Sequence, residues 1–291
     1  MHFWNMQIEK EDLEKRFREK GYYMLVRTLT GLIGVPLVLW IVISGSLVMQ
    51  ISGVVLGAIA IMEYFRAISL VYKPIKVLGF LLVVGFFAFL PFCMEYYSMY
   101  ISLVLLLPLI CGVLTYPKYT ITDIAATIFG VIYIGLLFGL IVSIRNFDNG
   151  LFWVILLFVC TWGSDTCAYF VGRAFGKVKL APELSPKKTV EGSIGGVVGA
   201  SIFALIYCLV MIKLGYVSFT VVQIFIIVLV ACFAAVLSQI GDLAASSIKR
   251  NVGAKDFGKI FPGHGGVLDR FDSVLLTTPF IFVISYLFNT P

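Results

Sequence analysis

The feature that most constrains the fold is a succession of apolar runs, each about as long as a helix needs to cross a bilayer. At roughly 20 residues per crossing, the windows are 25–45, 47–67, 77–93, 99–115, 124–144, 151–172, 193–213, 220–241 and 272–289. Lipid offers no partner to a free amide, so a spanning chain must be helical or form a closed barrel. Barrel strands alternate apolar and polar side chains, whereas these runs are continuous. The pattern therefore predicts an all-α polytopic bundle of about nine transmembrane helices. Composition agrees, with 60% hydrophobic and only 13% charged residues; soluble domains carry about a quarter charged.

Residues 1–20 are too charged for a signal peptide. Glu11 with Lys15 and Glu14 with Arg18 stand at i,i+4, which predicts a short amphipathic surface helix ahead of one transmembrane domain, 21–291. With the N-terminus inside and nine spans, only Arg145 and Lys213 of the 22 basic residues fall outside. That bias sets the N-terminus in the cytoplasm and brings the two long polar loops, 173–192 and 242–271, to the same face. Topology also accounts for the net charge of +6, so nucleic acid is not an expected partner. Cys93, Cys111, Cys160, Cys167, Cys208 and Cys232 all lie in or beside apolar runs without metal-ligand spacing, and read as packing residues.

The chemistry is concentrated at the ends of the spans. Asp165 lies within the sixth run and Asp242 closes the eighth. A carboxylate inside a span suggests a functional site, with a helix-packing hydrogen bond as the other reading of Asp165. Glu63 stands near Arg66, and pairing of the two is a sufficient structural reading. If the eighth span continues as helix, Asp242, Ser246, Lys249 and Arg250 follow at i, i+4, i+7 and i+8, on one face. A carboxylate, a hydroxyl and two cations so placed suit a metal-bound polyphosphate. Asp269 opens the ninth run, where a helix N-terminus favours an anion, so Asp242 and Asp269 are expected to meet and share a cation. Gly263, Gly265 and Gly266 would let the backbone approach phosphate, and a plain bend remains the alternative. His264 suits phosphate binding, proton donation or a structural hydrogen bond. In the other loop, adjacent Lys187 and Lys188 would attract an anionic headgroup, although lysines there also satisfy the positive-inside bias. Walker A, HExxH and GxSxG patterns are absent from the sequence.

The run Ser246-x-x-Lys249-Arg250, four residues, Lys255-Asp256, then His264-Gly265-Gly266-x-x-Asp269-Arg270-x-Asp272 resembles the signature of the phosphatidate cytidylyltransferases, or CDP-diacylglycerol synthases. Ser185-Pro186-Lys187-Lys188-Thr189-x-Glu191-Gly192 resembles a second stretch of that family. Asp165-Thr166-x-Ala168-Tyr169 resembles a third, with Cys167 where glycine is expected. The likeness is specific in the C-terminal half. It implies transfer of CMP from CTP to phosphatidic acid without a covalent enzyme intermediate, with Mg²⁺ required and a second, monovalent cation left open. It further implies a homodimer among membrane lipids with the site facing the cytoplasm; the short chain and its N-in topology suggest a bacterial cytoplasmic membrane. Carried onto this chain, Asp242 and Asp269 would bind metal, while Lys249, Arg250, Lys255 and Arg270 would neutralise CTP phosphates. Lys187 and Lys188 would hold the phosphatidate headgroup. His264 joins the catalytic set, and Ser246, Asp256, Gly265, Gly266 and Asp165 the substrate-binding set. The alternatives are a CTP-dependent enzyme acting on another lipid phosphate, a polyprenol kinase, or a transporter using Asp165 and Asp242 as an ion relay.

Overall fold

Prolines, caps and small residues decide where the apolar runs become helices. The computed structural model describes residues 31–261 and 265–289; the surface helix expected at 1–20, the start of the first window, and His264 lie outside the described residues. In chain order the helices are α1 (Gly31–Ile43), α2 (Ser46–Ile68), α3 (Lys76–Ala88), α4 (Leu90–Glu95) and α5 (Tyr97–Leu114). Next come α6 (Ile121–Gly130), a π-helical turn (Val131–Leu136) and α7 (Leu137–Arg145), which together form one span. The C-terminal half holds α8 (Gly150–Phe175), β1 (Lys179–Ala181), β2 (Ser185–Thr189), α9 (Val190–Lys213), α10 (Val221–Asn251) and α11 (Leu268–Asn289).

The protein is thus nearly all-α, but seven described helices, not nine, are long and apolar enough to cross a membrane. The first and third windows contain the shorter α1 and α3. At 1.5 Å per residue, α3 extends only about 20 Å against a hydrocarbon core of about 30 Å. The reason it stops is local. Pro91 follows at the start of α4, has no N–H, and cannot donate to the Phe87 carbonyl one turn back. The Gln50 side chain supplies that bond from α2, with Nε2 donating to Phe87 O at 2.9 Å.

α8 and α9 form an antiparallel pair, closed by the β1–β2 hairpin at one end. The buried face of α9 is the i,i+4 row Gly192, Gly196, Ala200, Ala204 and Cys208. Small residues let helix backbones approach closely; a Cβ on Gly196 would lie 2.9 Å from Ser164 O and from Gln239 Nε2. The Thr220–Gln223 capping box starts α10, which continues for 31 residues, about 46 Å. It therefore overshoots a hydrocarbon core and carries Asp242–Asn251 into the polar end of the bundle. α11 packs against α7, α8 and α10, with Val274, Leu275 and Ile281 buried in the core.

Candidate active site

Where α8, α9 and α10 converge beside the hairpin, a cavity of about 400 Å³ opens. Asp165, Tyr169 and Arg173 enter it from α8, Lys187 and Lys188 from β2, Ser193 from α9, and Gln239 and Asp242 from α10. The hairpin is fixed at both ends. Thr189 caps α9 by accepting from Gly192 N at 3.2 Å. Glu191, in the first turn of α9, accepts from Lys177 N at 3.0 Å and from Val178 N at 3.2 Å. Its negative charge also suits a helix N-terminus. These anchors hold Lys188 where its Nζ forms an ion pair with Asp242 Oδ2. The two polar loops thereby meet at one salt bridge.

Below that pair, buried Gln239 joins three helices. Its Nε2 donates to Ser193 O at 3.0 Å and to Ser164 Oγ at 3.3 Å, and its Oε1 accepts from Ser193 Oγ. Asp165 lies in the electrostatic range of Asp242, Lys188 and Arg270. Buried Asp272 also feels Asp242, Asp165 and Lys249. Asp165, Asp242 and Asp272, from α8, α10 and α11, therefore lie within electrostatic range of one another, whereas the sequence indicated the pair Asp242 and Asp269. Cys167, in place of the expected glycine, is accommodated because Gly199 faces its sulfur.

The continuation of α10 keeps Asp242, Ser246 and Lys249 on one side, with Ser246 and Lys249 buried. Arg250 is about 80° round from Asp242 at 100° per residue. It is exposed and donates to Ala254 O at 3.2 Å, so the expected four-residue face holds three. Lys255, Asp256 and Arg270 are exposed.

The signature segment closes around a different anion from the one expected. Lys249 Nζ donates to Asp269 Oδ1 at 2.8 Å, while Phe257 N at 2.9 Å and Gly266 N at 3.0 Å donate to Oδ2. Gly258 N approaches the same oxygen at 3.4 Å. Gly266 of the glycine turn thus aims its amide at the chain's own carboxylate. Gly265 takes φ +82°, a left-handed conformation that favours glycine, and its carbonyl accepts from Phe261 N at 2.9 Å. Asp242 and Asp269 are engaged separately, each by its own lysine. Glu63 does not pair with Arg66 among the described residues. It is buried and accepts from Leu268 N at 3.0 Å, whereas Arg66 is exposed.

The donor set bears on a divalent cation. Asp165 and Asp242 both face the cavity, whereas four protein donors leave Asp269 little capacity for a metal. No cluster of three or more His, Cys, Asp or Glu disposed to hold a metal ion occurs among the described residues. Mg²⁺ commonly takes one or two carboxylates and completes its shell with water and substrate phosphate, so Asp165 and Asp242 fit such an ion. Arg173 and Gln239 were not indicated by the sequence. Gln239 left one signal, an amide inside an apolar run three residues before Asp242.

Comparison with known proteins covers nearly all of the chain. The profile of a group described as "Cytidylyltransferase family" matches residues 25–288. A protein of Bacillus subtilis (strain 168) named phosphatidate cytidylyltransferase is 37% identical over 277 residues, spanning 91% of this chain and 99% of the relative. Proteins of the same name from Staphylococcus aureus (strain COL) and Staphylococcus haemolyticus (strain JCSC1435) are 33% and 34% identical over 270 residues, spanning 90% of this chain and 98% of each relative.

Proposed function

The chain belongs to the cytidylyltransferase family, and from that premise we propose that it transfers CMP from CTP to phosphatidic acid. A phosphate oxygen of phosphatidate attacks the α-phosphorus of CTP. The bond to the β-phosphate oxygen breaks, and CDP-diacylglycerol and pyrophosphate are formed. The observation that carries this reading is the cavity in which the Lys188–Asp242 ion pair joins the two polar loops.

The attacking oxygen is already anionic at neutral pH, so the task is to bring two polyanions together and to cover the charge on pyrophosphate. Lys187 and Lys188, with Arg173 beside them, hold the phosphatidate headgroup at the end of the helices, where its acyl chains stay in lipid. Arg250, Lys255 and Arg270 meet the CTP phosphates from the exposed side of the signature segment. Lys249 holds that segment in shape through Asp269, and His264 sits within the same sequence run. Asp165 and Asp242 would hold Mg²⁺, which when bound neutralises phosphate oxygens of the substrates. The cavity-facing carboxylates also give Lys188 a partner until the headgroup arrives. We further propose that the site faces the cytoplasm of a bacterial cytoplasmic membrane and that the enzyme works as a homodimer.

The test is product formation from labelled CTP in mixed micelles, with a panel of phosphatidate, polyprenyl phosphate and a lipid lacking phosphate. Phosphatidate-dependent CDP-diacylglycerol is expected, with Lys188→Ala raising the concentration of phosphatidate required. Label incorporated only with polyprenyl phosphate would move the assignment to another acceptor.

A further inference from the structure

Glu63 belongs to α2, in the half of the chain where the sequence carries no signature, yet it reaches the N-terminus of α11. It is 6% exposed. Its Oε2 accepts from Leu268 N at 3.0 Å, and the Val267 amide also interacts with the carboxylate. Those are the first orphan donors of α11, so Glu63 caps that helix from another element. Gly258 and Gly266, on either side of the signature turn, both pack against the carboxylate, and a Cβ on either would overlap it. The residue after Glu63 contributes as well. The Tyr64 ring lies 6.5 Å from the Phe257 ring, and Lys249 Nζ lies 5.2 Å from the centre of the same Phe257 ring.

We infer that Glu63 is a positioning residue: it fixes the signature segment against α2, so that Asp269, Lys249 and the amides of Phe257 and Gly266 hold one arrangement. The inference rests on the CMP-transfer reading for its catalytic consequence, but not for its structural one. Two carboxylates divide the work around Gly266. Asp269 binds its amide from within the segment, and Glu63 presses on its α-carbon from outside. Loss of Glu63 leaves the Lys249–Asp269 pair in place but frees the turn beneath it.

The experiment compares Glu63→Ala and Glu63→Gln in the full-length protein. Gln keeps an oxygen that accepts from Leu268, whereas Ala removes the brace. Per folded molecule at saturating CTP and phosphatidate, Glu63→Ala is expected to lower kcat by about 10- to 100-fold, the scale of a small misplacement of reacting groups. Glu63→Gln is expected to stay within about threefold, since one neutral hydrogen bond replaces a charged one. Without substrate, amide exchange at Gly266 and Leu268 should accelerate about 10-fold or more in Glu63→Ala alone, reporting local opening. If Glu63→Ala does not fold, Glu63→Asp, which withdraws the carboxylate by one methylene, replaces it in the same comparison. Unchanged kcat in the shortened variant, or a loss that tracks the folded fraction and is equal in Gln and Ala, overturns the inference. A wild type that forms no product sinks the transfer reading, and amide exchange alone then decides the role of Glu63.

Discussion

Asp269→Asn offers the sharpest energetic test of how the signature segment is built. The carboxylate is 3% and the Lys249 side chain 10% exposed, so the pair is effectively out of solvent. Removing one partner of a buried ion pair typically destabilises by about 3–5 kcal/mol, because the other charge is left uncompensated. The bonds from Phe257 N and Gly266 N also weaken when their acceptor becomes neutral, by about 1 kcal/mol each. The longer approach of Gly258 N adds little. The combined effect, about 5–7 kcal/mol, matches the lower range of a whole protein's stability, about 5–15 kcal/mol. The segment should therefore open locally before the bundle unfolds. Hydrogen exchange in detergent should show loss of protection at 257–261 and 265–269, with α8 and α9 unchanged. Adding Lys249→Met removes the stranded charge and should restore about 3 kcal/mol, although not activity. Wild-type protection in Asp269→Asn, or no recovery in the double variant, would refute the reasoning.

Other consequences are smaller. Gln239→Leu removes the amide that ties α8, α9 and α10 and leaves Ser193 and Ser164 short of partners; a loss of about 1–3 kcal/mol should appear as a lower Tm in detergent. Gln50→Leu strands the Phe87 carbonyl behind Pro91 and should cost about 1–3 kcal/mol, with turnover of the folded enzyme unchanged. Lys188→Met should raise KM for phosphatidate about fivefold, as expected for one headgroup cation worth about 1 kcal/mol, with a smaller effect on KM for CTP in initial-rate measurements.

The parts of this site that were legible in the sequence are those written in side chains close along the chain. Asp242, Ser246 and Lys249 share a face because α10 continues as helix to Asn251, and the residue types alone indicated that face. Lys187 and Lys188 were recognisable, but the hairpin presenting them was not. Strand β2 is SPKKT, with no apolar alternation and a proline, so its pairing is fixed by Thr189, Glu191 and the α8–α9 closure. The role of Asp269 was hidden because its partners are mostly backbone amides, which carry no residue identity. Glu63 was read with Arg66, its nearest opposite charge, since nothing local points to Leu268, 205 positions away. The third window contains Pro91 in plain view, yet Gln50, the partner of the carbonyl it leaves free, lies 37 positions from that carbonyl.

The most direct test of the central claim is initial-rate CDP-diacylglycerol formation from labelled CTP and phosphatidate, with Mg²⁺ varied, for wild type and Asp242→Asn. Asn keeps the shape of the side chain at the meeting of the two loops and removes its charge. The account predicts Mg²⁺-dependent product in the wild type and a loss of at least about 100-fold in Asp242→Asn, with the folded fraction maintained. Wild-type turnover in Asp242→Asn would contradict it.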